Sequence, residues 1–352
     1  MTTTLTRFLL AGFLTVFSLA VQAERLILVA GGTNDAVNIP ALEAKLKEPF
    51  GTEFDSKGNM YIVEMASGNR LLRVDGKGVL SHVAGQLKAG DSGDGGPALH
   101  AQFNGPHNLM VLPDDNVLIG DTWNGRIRKV DIKTSKVSSL DGFNVPNQKA
   151  KSLGPYCISL DFSGTKLYIA DLRQVHALDL KTGKSKVVAG NGQKGVPADG
   201  AVATEAPLVD PRAAAADRLG NVYILERGGN ALRVVDKDGK IKTVVNASGK
   251  KGGTGDGGPA LEATMNGPKY ICIDRDNSVI IADAESHLVR RYQPKDGKIT
   301  RIAGTGVKGA AGLGGDPTKA QLARPHGVTI HPKTGELYIT DSYNDRILKI
   351  AP

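Results

Sequence analysis

One phrase occurs six times in this chain: a proline, at Pro49, Pro106, Pro155, Pro211, Pro268 and Pro325, is followed 15 or 16 residues later by a carboxylate. The acids are Glu64, Asp121, Asp171, Glu226, Asp283 and Asp341. Each phrase holds short apolar runs divided by Gly, Asn and Asp turns, and the period is about 50 to 57 residues. A unit of four short strands cannot cover its own two faces. It must stack on copies of itself, and the arrangement that satisfies every copy is a ring of sheets.

The second run of each phrase is apolar at consecutive positions, as in Met60-Tyr61-Ile62-Val63, Val222-Tyr223-Ile224-Leu225 and Leu337-Tyr338-Ile339. Strands apolar on both sides are buried on both faces. The expected fold is therefore all-β, a six-bladed β-propeller with four-stranded antiparallel blades. The sixth repeat has no fourth run before Pro352. Leu26-Ile27-Leu28-Val29-Ala30-Gly31 matches Ile299-Thr300-Arg301-Ile302-Ala303-Gly304, so the amino-terminal strand is expected to complete the last blade and close the ring. Residues 24–352 then form a single domain.

Residues 1–23 read separately. Arg7 precedes an apolar stretch from Phe8 to Val21 that ends in Val21-Gln22-Ala23, the pattern of a cleaved signal peptide. The expectation is an exported protein, periplasmic or secreted, monomeric, with no membrane span once the leader is removed. Cys157 and Cys272 are the only cysteines and fall on inner strands of different blades, so two buried thiols are expected rather than a disulfide. The formal charge of +8 is spread over turns such as Lys181-Thr182-Gly183-Lys184, which speaks against a nucleic-acid partner.

Gly93-Asp94-Gly95-Gly96-Pro97-Ala98-Leu99 running to Asn104-Gly105-Pro106 is repeated as Gly255-Asp256-Gly257-Gly258-Pro259-Ala260-Leu261 running to Asn266-Gly267-Pro268. With Ile119-Gly120-Asp121-Thr122-Trp123-Asn124-Gly125-Arg126, these phrases resemble the NHL-repeat family of six-bladed propellers. The resemblance covers essentially residues 24–352 and speaks to fold, since that architecture hosts enzymes and scaffolds alike. Arg70, Arg126 and Arg346 match the arginine of the family's Asn-x-Arg turn. Blades four and five place Ala231 and Leu288 there, and such uneven copies are expected to carry function.

Strands one and two of a blade are antiparallel, so the residues after each proline and the six carboxylates meet on one rim. Those residues are Phe50, His107, Tyr156, Arg212, Lys269 and His326, five of which bind or titrate. Two neutral imidazoles, His107 and His326, are candidate ligands of a divalent metal such as zinc. The carboxylates suggest calcium, but an acid in every blade is better explained by backbone N–H groups of the second hairpin. Asp121 and Asp341 are kept as exceptions. Trp123 and Tyr343, two residues beyond those acids, could stack on a sugar or peptide ring.

The arrangement is also similar to the peptidyl-hydroxyglycine amidating lyases, which place zinc-binding histidines after prolines on inner strands. His107 and His326 match two such positions, while Arg212 occupies the third and suits an anionic ligand instead. Three readings result, the last being a purely structural interaction module with no small-molecule site. In the first, the rim binds a small molecule, glycan or peptide through His107, His326, Arg212, Lys269, Asp121, Asp341, Trp123 and Tyr343. In the second, a metal on His107 and His326 serves a lyase or lactone hydrolase, with Tyr156 moving the proton. Whether the protein is an enzyme is left open by the sequence.

Overall fold

The computed structural model describes residues 23–144 and 154–351, so all but Ala23 of the expected leader lies outside it. Six antiparallel sheets surround a common axis. Blade 1 runs Pro49–Phe54, Met60–Glu64, Arg70–Val74 and Val79–Gly85, and blade 2 runs Asn108–Val111, Val117–Asp121, Arg126–Asp131 and Lys136–Asn144. Blade 3 is built of Cys157–Leu160, Lys166–Ala170, Val175–Asp179 and Ser185–Ala189, and blade 4 of Pro211–Ala216, Val222–Glu226, Ala231–Val235 and Lys240–Val245. Blade 5 comprises Tyr270–Ile273, Val279–Asp283, Leu288–Gln293 and Lys298–Ala303. Blade 6 takes Gly327–Ile330, Leu337–Asp341 and Arg346–Ala351, and Arg25–Ala30 pairs with the last of these, Leu26 opposite Ile350.

Each innermost strand packs against its neighbour around the ring, including Gly327–Ile330 of blade 6 against Pro49–Phe54 of blade 1. There Thr329 Oγ1 donates to the carbonyl of Thr52 at 2.7 Å. The second strands are buried apart from Lys166 at the start of that of blade 3, with Ile62, Ile119, Ile169, Ile224, Ile281 and Ile339 all at 0% exposure. Each such side chain contributes roughly 1.5–3 kcal/mol relative to an exposed one, which is why the blades hold together without cross-links. Cys157 and Cys272 are both free thiols; Cys157 is buried and Cys272 is half-buried.

Blades 1 and 4 carry a short fifth strand where four were expected. Ile39–Pro40 pairs with Val79–Gly85, and Ala201–Val202 pairs with Lys240–Val245. In blades 2 and 5 the same linker position makes single bridges, Pro97 with Lys136 and Pro259 with Lys298. The linker thus crosses the outermost strand on its way to the next blade and covers an edge that would otherwise be open to pairing.

The repeated carboxylates are the internal frame of the rim. Glu64, Asp121, Glu226, Asp283 and Asp341 are fully buried. Each accepts a hydrogen bond from the backbone N–H two residues before its blade's proline: Lys47, Asn104, Val209, Asn266 and Ala323, at 2.7–2.8 Å. The donors were expected in the second hairpin and instead lie in the linker, so the acid staples strand two to the incoming chain. Only Asp171 follows the hairpin pattern, accepting from Arg173 N and Gln174 N at 2.6 Å.

An arginine faces each buried acid. Arg70 pairs with Glu64 and Arg346 with Asp341 at 2.7 Å from the expected turn position. In blades 4 and 5 the guanidinium comes from two residues further along, Arg233 to Glu226 at 2.9 Å and Arg290 to Asp283 at 3.5 Å. Side chains alternate along a strand, so a displacement of two keeps the same face. Ala231 and Leu288 therefore do not mark lost ion pairs.

Candidate functional site

The six residues after the prolines form a belt around the channel mouth. Going round from blade 6, the His326 ring stacks on Phe50 with centroids 4.1 Å apart, and Phe50 meets His107 edge-on at 5.3 Å. His107 in turn meets Tyr156 edge-on at 4.9 Å, and the Arg212 guanidinium lies 3.7 Å above the Tyr156 ring. Lys269 of blade 5 completes the belt, its Nζ 3.6 Å from a carboxylate oxygen of Glu285. The residue after the proline recurs at the mouth because strand one begins there and its first side chain has no strand above it to cover it.

Both imidazoles are set by their own turns. His107 Nδ1 bonds the carbonyl of Gly105 at 2.7 Å and His326 Nδ1 that of Arg324 at 2.8 Å. A carbonyl only accepts, so Nδ1 carries the hydrogen and Nε2 keeps its lone pair. Burial, with Arg212 and then Lys269 adding repulsion, pushes the His107 pKa down to about 3. His326 is pushed well down by burial, with Lys269 the largest charge acting on it. Both rings are neutral at physiological pH.

Positive charge gathers on the side of blades 4 to 6. Burial lowers Arg212 to about 10, and Lys269 falls to about 7 through burial and the charges of Arg227 and Arg212. Glu285 is ion-paired to Arg324 as well as facing Lys269. Among the described residues neither Arg212 nor Arg227 has a carboxylate in ion-pair range, and the Nε atoms of both are buried without a hydrogen-bond partner. A groove of about 420 Å³ is lined by Arg227, Gly228, Lys251, Asn266 and Glu285, and so shares Arg227 and Glu285 with this charged cluster.

The mouth has a floor. Asn108 of blade 2 donates through Nδ2 to the Tyr270 hydroxyl of blade 5 at 3.0 Å and accepts through Oδ1 from Ile158 N of blade 3 at 2.8 Å. The Cys157 thiol lies beside Tyr270, and burial raises its pKa to about 12, leaving it a protonated, unreactive group. One layer further in, burial raises Glu53 to about 8.

Of the residues singled out in the sequence, the structure brings His107, His326, Tyr156, Arg212 and Lys269 together. Trp123 and Tyr343 stand at the rim, 40% and 45% exposed, their rings 5.9 Å from His107 and 5.7 Å from His326. Asp121 and Asp341 do not join them. Their oxygens are taken by Asn104 N and Asn124 in one case and by Ala323 N, Asn344 and Arg346 in the other. Sequence reasoning placed Phe50 on the rim but gave it no role, and missed Arg227, Arg324, Glu285, Asn108 and Tyr270. Glu285 was visible in principle, since it holds in blade 5 the position of Trp123 and Tyr343.

The donor set does not fit a divalent metal. Among the described residues no three His, Cys, Asp or Glu side chains converge as a coordination shell requires, and the two imidazoles share their surroundings with Arg212 and Lys269. A cation there would face like charge.

The fold defines a six-bladed β-propeller. More particularly, two stretches of the chain match NHL models: the family described as Teneurin NHL domain matches residues 156–254, and the NHL repeat matches residues 322–350. NHL repeat-containing protein 2 of Gallus gallus is 22% identical over 341 residues, covering 85% of this chain and 46% of that protein. The chain spans less than half the length of the curated relatives it matches. An auxiliary nutrient binding protein from Bacteroides ovatus superposes with a TM-score of 0.68 at 16% identity, over 94% of this chain and 77% of that one. A streptogramin B lyase does so with 0.57 at 14% identity, over 95% and 99%. At these identities the likeness is one of fold.

Proposed function

We propose that this is an exported NHL-repeat propeller, periplasmic or secreted, that binds a small anionic molecule at the mouth of its central channel. One observation carries the reading: Arg212, Arg227 and Lys269 act on one another as like charges, and the two carboxylates acting on them are already engaged, Glu285 with Arg324 and Asp210 with Arg173 and Lys194. Holding cations together in a half-buried site costs free energy that an anion offsets when bound. Tyr156 under Arg212 adds a planar face, and the neutral Nε2 atoms of His107 and His326 add acceptors for ligand hydroxyls. Export is supported by the leader pattern of residues 1–23, and a binding role agrees in kind with the nutrient binding protein of the same fold.

The test is a thermal-shift and calorimetric screen of the protein from residue 24 with di- and monocarboxylates, acidic sugars and their neutral counterparts. A ligand at 100 times its Kd should stabilise by about 2.7 kcal/mol. Arg212→Gln should remove the shift. If acidic and neutral compounds behave alike, or if Arg212→Gln binds as wild type does, the proposal fails.

A further inference from the structure

Lys269 is placed unlike any other lysine described. Its side chain is only 14% exposed, it stands in the belt at the channel mouth, and its Nζ lies 3.6 Å from one carboxylate, Glu285. That carboxylate is shared with Arg324, which weakens its hold on the ammonium. Every other charged group acting strongly on Lys269 is a cation: Arg227, Arg212 and Arg324. The neighbouring imidazoles His326 and His107 stay neutral and supply no anion. An amine next to fixed cations and screened from water gives up its proton readily and becomes a nucleophile. At pH 7 an ordinary lysine is neutral in only about one molecule per thousand or fewer. A lysine can lose its proton in such surroundings and an arginine cannot, so this position has a chemistry that Arg212 and Arg227 lack.

Resting on the anion-binding reading above, we infer that the mouth takes an α-oxo carboxylate or a similar acidic carbonyl compound, held by Arg212 and Arg227, and that Lys269 forms a reversible imine with it. The chemistry balances within the two partners. The Nζ lone pair forms a bond to the carbonyl carbon, and the carbonyl π pair moves to oxygen, which takes up a proton while nitrogen loses one. The resulting carbinolamine then breaks its C–O bond and releases water, leaving C=N. No oxidant or reductant is consumed. The protonated imine is a cation adjacent to the ligand's own carboxylate, so the product pairs charges that the cations of the mouth do not pair among themselves.

The experiment is reductive trapping. The protein from residue 24 is mixed with pyruvate and sodium cyanoborohydride at pH 7, digested, and each lysine is scored for N-carboxyethyl modification by mass spectrometry. Lys269 should be labelled at least about tenfold more than any surface lysine, because its neutral fraction is larger. Malonate, an anion of similar size with no reactive carbonyl, should raise Tm and suppress that label. Lys269→Arg should still be stabilised by malonate while losing the selective label. If malonate stabilises but Lys269 is labelled no faster than other lysines, the imine is overturned and the anion site stands. If malonate neither stabilises nor suppresses labelling, the arginines do not hold the ligand and both readings fall.

Discussion

Asn108 and Tyr270 meet across the propeller axis, the amide of blade 2 donating to the phenol of blade 5 at 3.0 Å from 162 residues away. These blades stand opposite one another in the ring, so the bond spans the channel directly beneath the belt of post-proline residues. It turns the mouth from a pore into a cup, with the charged and aromatic side chains above and the thiols and Glu53 below.

Tyr270→Phe should therefore be costly for a change of one oxygen. Asn108 is buried, and its Nδ2 would lose its partner. A buried donor left unsatisfied costs about 1–3 kcal/mol. Urea melts should show that loss. A variant as stable as wild type would mean that the cup has no floor at this level.

The buried frame predicts a difference between two substitutions at Glu226. Glu226→Gln keeps an acceptor for Val209 N but removes the charge facing Arg233, whereas Glu226→Ala removes both. Breaking a buried ion pair by deleting one partner costs about 3–5 kcal/mol. Glu226→Ala should fall in that range, and Glu226→Gln should lose less, with denaturant midpoints in the order wild type, Gln, Ala.

The architecture was legible because its signals are local and repeated. The prolines start the inner strands, the paired apolar faces mark the second strands, and the match of Leu26–Gly31 to Ile299–Gly304 marks where the amino-terminal strand pairs. The carboxylates were legible as backbone acceptors, yet their donors were not, since Lys47 and Asn104 reach Glu64 and Asp121 through a linker whose path depends on the neighbouring blade. The residues at the mouth could be named from the proline phase alone. What they do together could not, because the cationic cluster draws on three different kinds of position. Lys269 and Arg212 follow prolines, Arg324 precedes one, and Arg227 and Glu285 sit in hairpin turns. Asp121 and Asp341 looked like rim residues by phase and proved to be frame residues by depth.

Deleting residues 24–31 should expose the edge of Arg346–Ala351 in blade 6. Arg25–Ala30 supplies that blade's outermost strand, and Leu26 is fully buried against it. The truncated chain should lose several kcal/mol from buried Leu26 and its pairing and should associate through the bared edge. Size-exclusion chromatography and thermal melts of the two chains measure both effects. An equally stable, monodisperse truncation would show that the last blade stands on three strands.

His107 makes stability depend on pH in a direction that can be isolated. Its pKa is about 3 in the folded protein, against about 6.5 in an unfolded chain. Between those values the unfolded chain takes up a proton that the folded protein refuses, so acidification favours unfolding as pH falls below 6.5. Glu53, Asp121 and Asp283, raised by burial to about 8, 6 and 7, act oppositely, because their folded forms hold protons that the unfolded chain has released. The net curve mixes the two. Comparison with His107→Phe cancels the carboxylates and leaves the imidazole. The stability of wild type minus that of the variant should fall by about 1–2 kcal/mol between pH 7 and pH 5. The lost Nδ1 bond to Gly105 is independent of pH over that range and only offsets the curve. A difference that stays flat would mean that the ring takes up its proton in the folded protein, and that Arg212 and Lys269 do not crowd it.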